Sequence, residues 1–313
     1  MPHFTTTDIP SLNGKFAIVT GATSGLGFAS VIHLAHAGAR VLFTARSTAK
    51  AETALEQMNQ RLATLPPHPS KIPPGAIEFD TCDFTDLESV NALCNRILSI
   101  NIPIDILMLN AGCAMVPYQL IHGVESQLFI NNFGHRLMIE RFLELIKKAG
   151  NPKIVLVSSD SHTWVNSVVT DAPSEKLYNG STAYGNSKAA QILTVKALAR
   201  RFEKEGIQGI HVNAAHPGAT TTNIIEKAAA GYSPILIGAV KGTLSLFFST
   251  ADHGALTQLF CATSPNIETQ KMTGRYFVPV AKEKPAKEFT NDETAQDKYA
   301  EWEWAKITSI IKL

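Results

Sequence analysis

Short runs of β-branched and other apolar residues alternate, through the first two thirds of the chain, with longer segments whose apolar positions recur at the helical period. Strands are predicted over 16–20, 41–44, 76–81, 104–109, 154–157 and 209–213, with a late one over 276–278. Each is nearly continuous in apolar residues, as strands are when helices bury both faces of their sheet. Helical patterns fill the gaps over 25–37, 47–64, 86–99, 122–148 and 182–204, the third opening on Asp86, an acidic side chain suited to capping. This alternation predicts βαβ units, hence an α/β fold on a parallel sheet. Two segments break the rhythm. Residues 66–75 (PPHPSKIPPG) hold five prolines, which predicts an extended surface loop. Residues 220–249 form a helical excursion after the sixth strand. No repeat or linker divides the chain, so one domain is expected over 1–313, with an insertion at 220–249 and a C-terminal docking helix over 293–312 anchored by Trp302 and Trp304.

Composition narrows the class. Of 313 residues 45% are hydrophobic and 18% charged, and 28 Lys plus Arg against 27 Asp plus Glu leave a net charge of +1. That balance excludes a disordered chain and provides no general field for nucleic acid or acidic membrane. Cys82, Cys94, Cys113 and Cys261 lie far apart, with neither disulfide nor zinc-site spacing, so no metal is expected. The first ten residues lack the basic and apolar regions of a secretory signal, and no apolar stretch is long enough to span a bilayer, which suggests a cytoplasmic protein. Weak membrane association through 232–249 stays open.

Directly after the first strand comes Thr20-Gly21-Ala22-Thr23-Ser24-Gly25-Leu26-Gly27, entering a helix. Glycines there allow a tight turn and close approach to a pyrophosphate, while the first helical amides face the anion. The end of the second strand chooses between dinucleotides. A carboxylate would bind an adenosine 2′-hydroxyl, but the chain reads Val41-Leu42-Phe43-Thr44-Ala45-Arg46-Ser47. Arg46 offers a planar, charge-assisted fork to a 2′-phosphate, with Ser47 adding a hydroxyl, so NADP(H) is preferred to NAD(H).

Tyr184 and Lys188 are four apart on a predicted helix and project from one face. An ammonium beside a phenol favours phenolate, which would let the tyrosine exchange protons nearer neutral pH. With these pieces in order, the chain resembles the short-chain dehydrogenase/reductases. Thr20 to Gly27 matches the TGxxxGxG of that family, Asp83 (followed by Phe84) its acidic residue beside the adenine, and Asn110-Ala111-Gly112 its NAG after the fourth strand. Asn131, Ser159, Tyr184 and Lys188 match its catalytic tetrad. Asn131-Asn132-Phe133-Gly134-His135, the long stretch from Ser159 to Tyr184, and His216-Pro217-Gly218 followed by Thr222 are most similar to the retinol dehydrogenase and WW-domain oxidoreductase group. The departures are Asn132 where a histidine is common, and the longer proline-rich loop.

The resemblance implies a Rossmann-type doubly wound sheet of about seven strands in the order 3-2-1-4-5-6-7. It implies that Ser159 and Tyr184 hold a carbonyl oxygen, that hydride comes from the nicotinamide and that Tyr184 supplies the proton. Lys188 would hold the ribose, Asn131 would fix a water that refills the proton through Lys188, and Pro217, Gly218 and Thr222 would bracket the nicotinamide amide. The apolar content of 220–249 suggests a lipophilic ketone, aldehyde or alcohol. His135, His162 and His216 are expected to be structural. Two other functions remain open: a non-catalytic NADPH-binding sensor or scaffold, against which the complete tetrad counts, and an isomerase or cyclase that borrows the same tetrad. Monomer and homodimer are equally compatible with the sequence.

Overall fold

A computed structural model describes residues 4–218 and 250–312. In chain order the strands are β1 (Phe16–Val19), β2 (Arg40–Ala45), β3 (Ile77–Thr81), β4 (Ile106–Leu109), a small hairpin of β5 (Leu120–Ile121) and β6 (Val124–Glu125), then β7 (Lys153–Val157), β8 (His211–Ala215), β9 (Tyr276–Val278) and β10 (Lys282–Glu283). All but the hairpin join one sheet in the order β10-β9-β8-β7-β4-β1-β2-β3. The expected seven-strand order is therefore present, with a short eighth strand added antiparallel to β9.

Side-chain alternation along the strands builds two cores, one on each face. Phe16, Ile18, Leu107, Leu109, Ile154 and Leu156 point to one side, under α3 (Leu87–Ile100), α5 (Gly134–Lys147) and α6 (Gly180–Lys204). Ala17, Val19, Ile106, Met108 and Val155 point to the other, under α1 (Gly25–His36), α2 (Thr48–Thr64) and α7 (Ala251–Thr263). The short α8 (Pro265–Thr269) adds Ile267 to this second core, and α9 (Glu293–Ile310) adds Tyr299 and Ile307 to the first. Because β1 lies between β2 and β4, the chain leaves its carboxyl end towards one side while the loop after β4 leaves towards the other. Such a switch point opens a crevice.

Three sequence expectations change. The helix expected from 122 begins only at Ser126, because His122 (φ 49°) and Gly123 (φ 76°) form the two-residue turn of the β5–β6 hairpin. Glu125 then caps α4 (Ser126–Leu128) by accepting from the amides of Gln127 and Leu128, and a single π-helical turn, Phe129–Phe133, joins α4 to α5. The sixth strand runs over His211–Ala215, two residues later than expected, since Gly209 (φ 79°) still belongs to the preceding turn. Residues 66–75 have no regular structure, but His68 is buried edge-on against His36 at 5.2 Å. The expected excursion over 220–249, its 232–249 stretch and Thr222 lie outside the described residues. Among the described residues no helix is long and apolar enough to cross a membrane.

Candidate active site

The loops after β1 and β4 are stitched together at the crevice. Thr20 Oγ1 accepts from the amides of Asn110 and Ala111, both at 2.9 Å, and Asn110 Nδ2 donates to the Thr20 and Gly21 carbonyls at 2.9 and 3.1 Å. The Thr20 hydroxyl then donates to His135 Nε2 at 3.1 Å, because His135 Nδ1 must donate to the Asn131 carbonyl at 3.0 Å. Burial, reinforced by the charge of Lys188, holds the His135 pKa down to about 3 and keeps the ring neutral. His135 is thus structural, as expected. Gly21 approaches Ala111 so closely that a Cβ there would lie 2.7 Å from Ala111 Cα, at a φ of 65°.

That closeness shapes a groove of about 560 Å³ along the loop, lined by Gly21, Thr23, Ser24, Thr44, Arg46 and Lys50 among others. The amides of Gly25, Leu26 and Gly27 open α1 and have no carbonyl a turn earlier in the helix to bond. They could hold a pyrophosphate. Arg46 and Lys50 are both exposed at the end of β2 and on the first turn of α2. Ser47 is the N-cap of α2, with no capping hydrogen bond from its hydroxyl. Lys50 was not singled out from sequence, although its spacing four after Arg46 was the available signal. Asp83 uses Oδ1 to accept from the amide and hydroxyl of Thr85 at 2.9 Å. The Phe84 ring is buried against Gly134 and His135, leaving only its backbone to face a ligand.

Further along the crevice, Asn179 caps α6 through the Thr182 amide at 2.9 Å and so fixes where Tyr184 and Lys188 begin their shared face. Lys188 Nζ lies 5.5 Å from the Tyr184 ring centroid. Ser159, just past β7, donates to Asp160 Oδ1 at 3.2 Å and stands close enough to Tyr184 to favour its phenolate. Burial pushes the Tyr184 pKa up to about 12, partly opposed by Ser159 and assisted by Asp160. The depression expected from Lys188 is not what this arrangement gives, since burial also pulls Lys188 down to about 8. Both groups are pushed towards their neutral forms by the same desolvation.

Asn131 sits in the π turn, fully buried. Its side chain accepts from the Cys113 amide at 2.8 Å and donates to the Cys113 carbonyl and to Ser187 Oγ at 3.0 and 2.8 Å. Its carbonyl accepts from both His135 Nδ1 and Gln191 Nε2, so both lone pairs are in use. The expected water-holding role is therefore not offered by this geometry. Gln191, not evident as a site residue from sequence, accepts from Lys188 Nζ through its Oε1 at 3.1 Å. Gly112 completes the floor: a Cβ on it would stand 2.9 Å from Asn131 Oδ1 and 3.9 Å from Lys188 Nζ. After β8, Pro217 and Gly218 are half-buried at the same end of the sheet, with Gly218 against Pro279. His162 accepts from the Lys287 amide at 3.2 Å and donates to the Ser159 carbonyl at 2.8 Å, and His216 stands 3.8 Å from Asp160. A larger cavity of about 810 Å³ lies at the opposite, amino-terminal end of β8, beside Gly209, His211 and Lys271, away from these groups.

The family model for short chain dehydrogenases matches residues 15–233. The chain belongs to the short-chain dehydrogenase family. Among its relatives, human retinol dehydrogenase 14 is 35% identical over 271 residues, covering 85% of this chain and 78% of that protein. Short-chain dehydrogenase TIC 32 B, chloroplastic, from Brassica napus is 31% identical over 304 residues, covering 94% and 89%. The fold matches the crystal structure of an uncharacterised protein from Mycobacterium paratuberculosis with a TM-score of 0.71 and 25% identity, over 99% of this chain and 97% of the other. This dehydrogenase is thus an oxidoreductase of alcohol and carbonyl groups that binds a nicotinamide cofactor, within a retinol dehydrogenase-like group.

Proposed function

We propose that this dehydrogenase uses NADP(H) and reduces the carbonyl of a lipophilic small molecule, with Tyr184 as proton donor. The observation that carries the proposal is the convergence of Ser159, Tyr184 and Lys188 on one crevice with the Gly21 loop and Arg46. The residues fit the cofactor: the close approach of Gly21 to Ala111 and the bare glycine at 112 leave room that any Cβ would fill. The amides of Thr23 to Gly27 would receive the pyrophosphate, Arg46, Lys50 and Ser47 the adenosine 2′-phosphate, and Asp83 with the Phe84 backbone the adenine. Asn110, Ala111 and Gly112 would flank the ribose, and Pro217, Gly218 and Thr222 the nicotinamide amide. When bound, the cofactor supplies the hydride.

The protein's own groups handle the proton. Ser159 and Tyr184 would hold the substrate oxygen, and a phenol kept at a pKa of about 12 stays protonated at neutral pH and so is poised to donate. Lys188, with a pKa of about 8, carries its charge through most of the neutral range and would bind the ribose with the N–H that Val157 and Gln191 do not take. Reduction should therefore be nearly flat below about pH 8 and fall above it, whereas alcohol oxidation, which needs Tyr184 deprotonated, should rise with pH.

Lipophilic substrates are favoured by what surrounds the first turns of α6. Trp164 and Val169, each 55% exposed, and Leu177, 78% exposed, stand there with Met115. The relative named retinol dehydrogenase 14 acts, by its name, on a lipophilic alcohol. The test is the loss of reduced-nicotinamide absorbance with NADPH and with NADH over a panel of lipophilic aldehydes and ketones. NADPH-selective turnover is expected, and a lower KM for NADH than for NADPH would reject the cofactor assignment.

A further inference from the structure

Among the described residues, no carboxylate is hydrogen-bonded to Lys188. Only 6% exposed, its ammonium donates to the Val157 carbonyl at 2.8 Å and to Gln191 Oε1 at 3.1 Å. Gln191 itself is fully buried, and its Nε2 donates to the Asn131 carbonyl at 2.9 Å. The orientation of this amide is fixed by chemistry, since an ammonium can only donate and a carbonyl can only accept. Gln191 therefore ties Lys188 to the π turn, and through the Asn131 carbonyl to His135, Thr20 and the amides of Asn110 and Ala111. One hydrogen-bond chain joins the lysine to the loop beneath the proposed cofactor site.

We propose that Gln191 is a positioning residue for Lys188, its side-chain amide clamping the ammonium to the Asn131 carbonyl so that one N–H is left for the crevice. The clamp matters because, among the described residues, no carboxylate faces the ammonium, and Cys113 is the neighbour whose charge would favour it. The titratable groups around Lys188 are His135 from α5, held neutral by burial, Cys113 from the loop after β4, and Tyr184 from its own helix. Among the described residues, two neutral oxygens, of Val157 and Gln191, are the hydrogen-bond acceptors that favour the charged lysine in this dry site. The role assigned to Gln191 rests on the proposal that Tyr184 and Lys188 are the working pair, whereas the clamp itself can be read without turnover.

The decisive experiment titrates Lys188 directly. In protein carrying 13C at the lysine ε position, its NMR resonance is identified by its loss in Lys188→Met and followed with pH in the wild type, Gln191→Leu and Gln191→Glu. Removing the acceptor should lower the Lys188 midpoint by about one pH unit, and a carboxylate in its place should raise it by at least as much. If Gln191→Leu does not fold, Gln191→Met serves for the same comparison. In parallel, the alkaline limb of kcat/KM for NADPH-dependent reduction should move down in Gln191→Leu and back up in Gln191→Glu. Unchanged midpoints in natively folded variants would overturn the proposal, as would an activity loss equal at every pH and matched by a fall in melting temperature. A wild type that reduces no carbonyl would reject the proposed reaction and leave the NMR result to judge the clamp.

Discussion

Tyr184 illustrates how far a motif and its surroundings can pull in different directions. Spacing four before a lysine suggests an acidified phenol, but a phenol and an ammonium packed into the same dry crevice both lose more from desolvation than they gain from each other. The result suits a donor of protons better than a base. At the other end of the crevice, the exposed Arg46 and Lys50 form a basic pair whose worth is measurable. Arg46→Ala combined with Lys50→Ala should raise the KM for NADPH by about 10- to 100-fold, the loss of two charge-assisted contacts, while changing that for NADH little. Equal changes for both cofactors would remove the 2′-phosphate from the account. Residues such as Ser159, Tyr184 and Lys188 were legible in the sequence because motif order fixes them. Gln191 and the Thr20–His135 pair were not, because their meaning lies in contacts between distant segments, Gln191 with Asn131 and Thr20 with His135, the latter 115 positions apart.

At the scale of elements, the loop after β1 works because its glycine meets another backbone rather than a side chain that could give way. Gly21→Ala would press a Cβ to 2.7 Å from Ala111 Cα at a left-handed φ, so a cost of about 2 kcal/mol or more is expected. Thermal unfolding and NADPH titration should both register it, and a variant with wild-type values in both would contradict the stitched-loop description. Most strands and helices were evident from apolar runs and periodicity, since buried parallel strands and amphipathic helices write themselves plainly. The β5–β6 hairpin and the π turn were not. Two-residue strands carry too few positions for a period, and the hairpin's signal, His122-Gly123 at positive φ, sits inside a longer apolar stretch that reads as helix. The same π turn holds the Asn131 carbonyl, so the element hardest to foresee is one that shapes the site.

Across the whole molecule, the doubly wound sheet brings residues from the loops after β1, β2, β4, β7 and β8 to one edge, while α9 closes the far side of α6. There Glu303 is fully buried among Tyr299 at 3.0 Å, Thr194 at 3.4 Å and Arg136 at 3.8 Å. Burial outweighs these partners and raises its pKa to about 7. A carboxyl raised in the folded state contributes stability that is fully present below its unfolded pKa and is lost as pH rises through about 7. Glu303→Gln should therefore gain in melting temperature relative to the wild type between about pH 5 and about pH 8, and a constant difference across that range would show that Glu303 does not titrate there. The role of Tyr184 is tested by NADPH-dependent reduction by the wild type and by Tyr184→Phe, with NADPH affinity measured on both. Turnover should vanish in the variant while its affinity for NADPH stays close to that of the wild type. A Tyr184→Phe enzyme that still reduces the carbonyl at the wild-type rate would place the proton donor elsewhere and contradict the account.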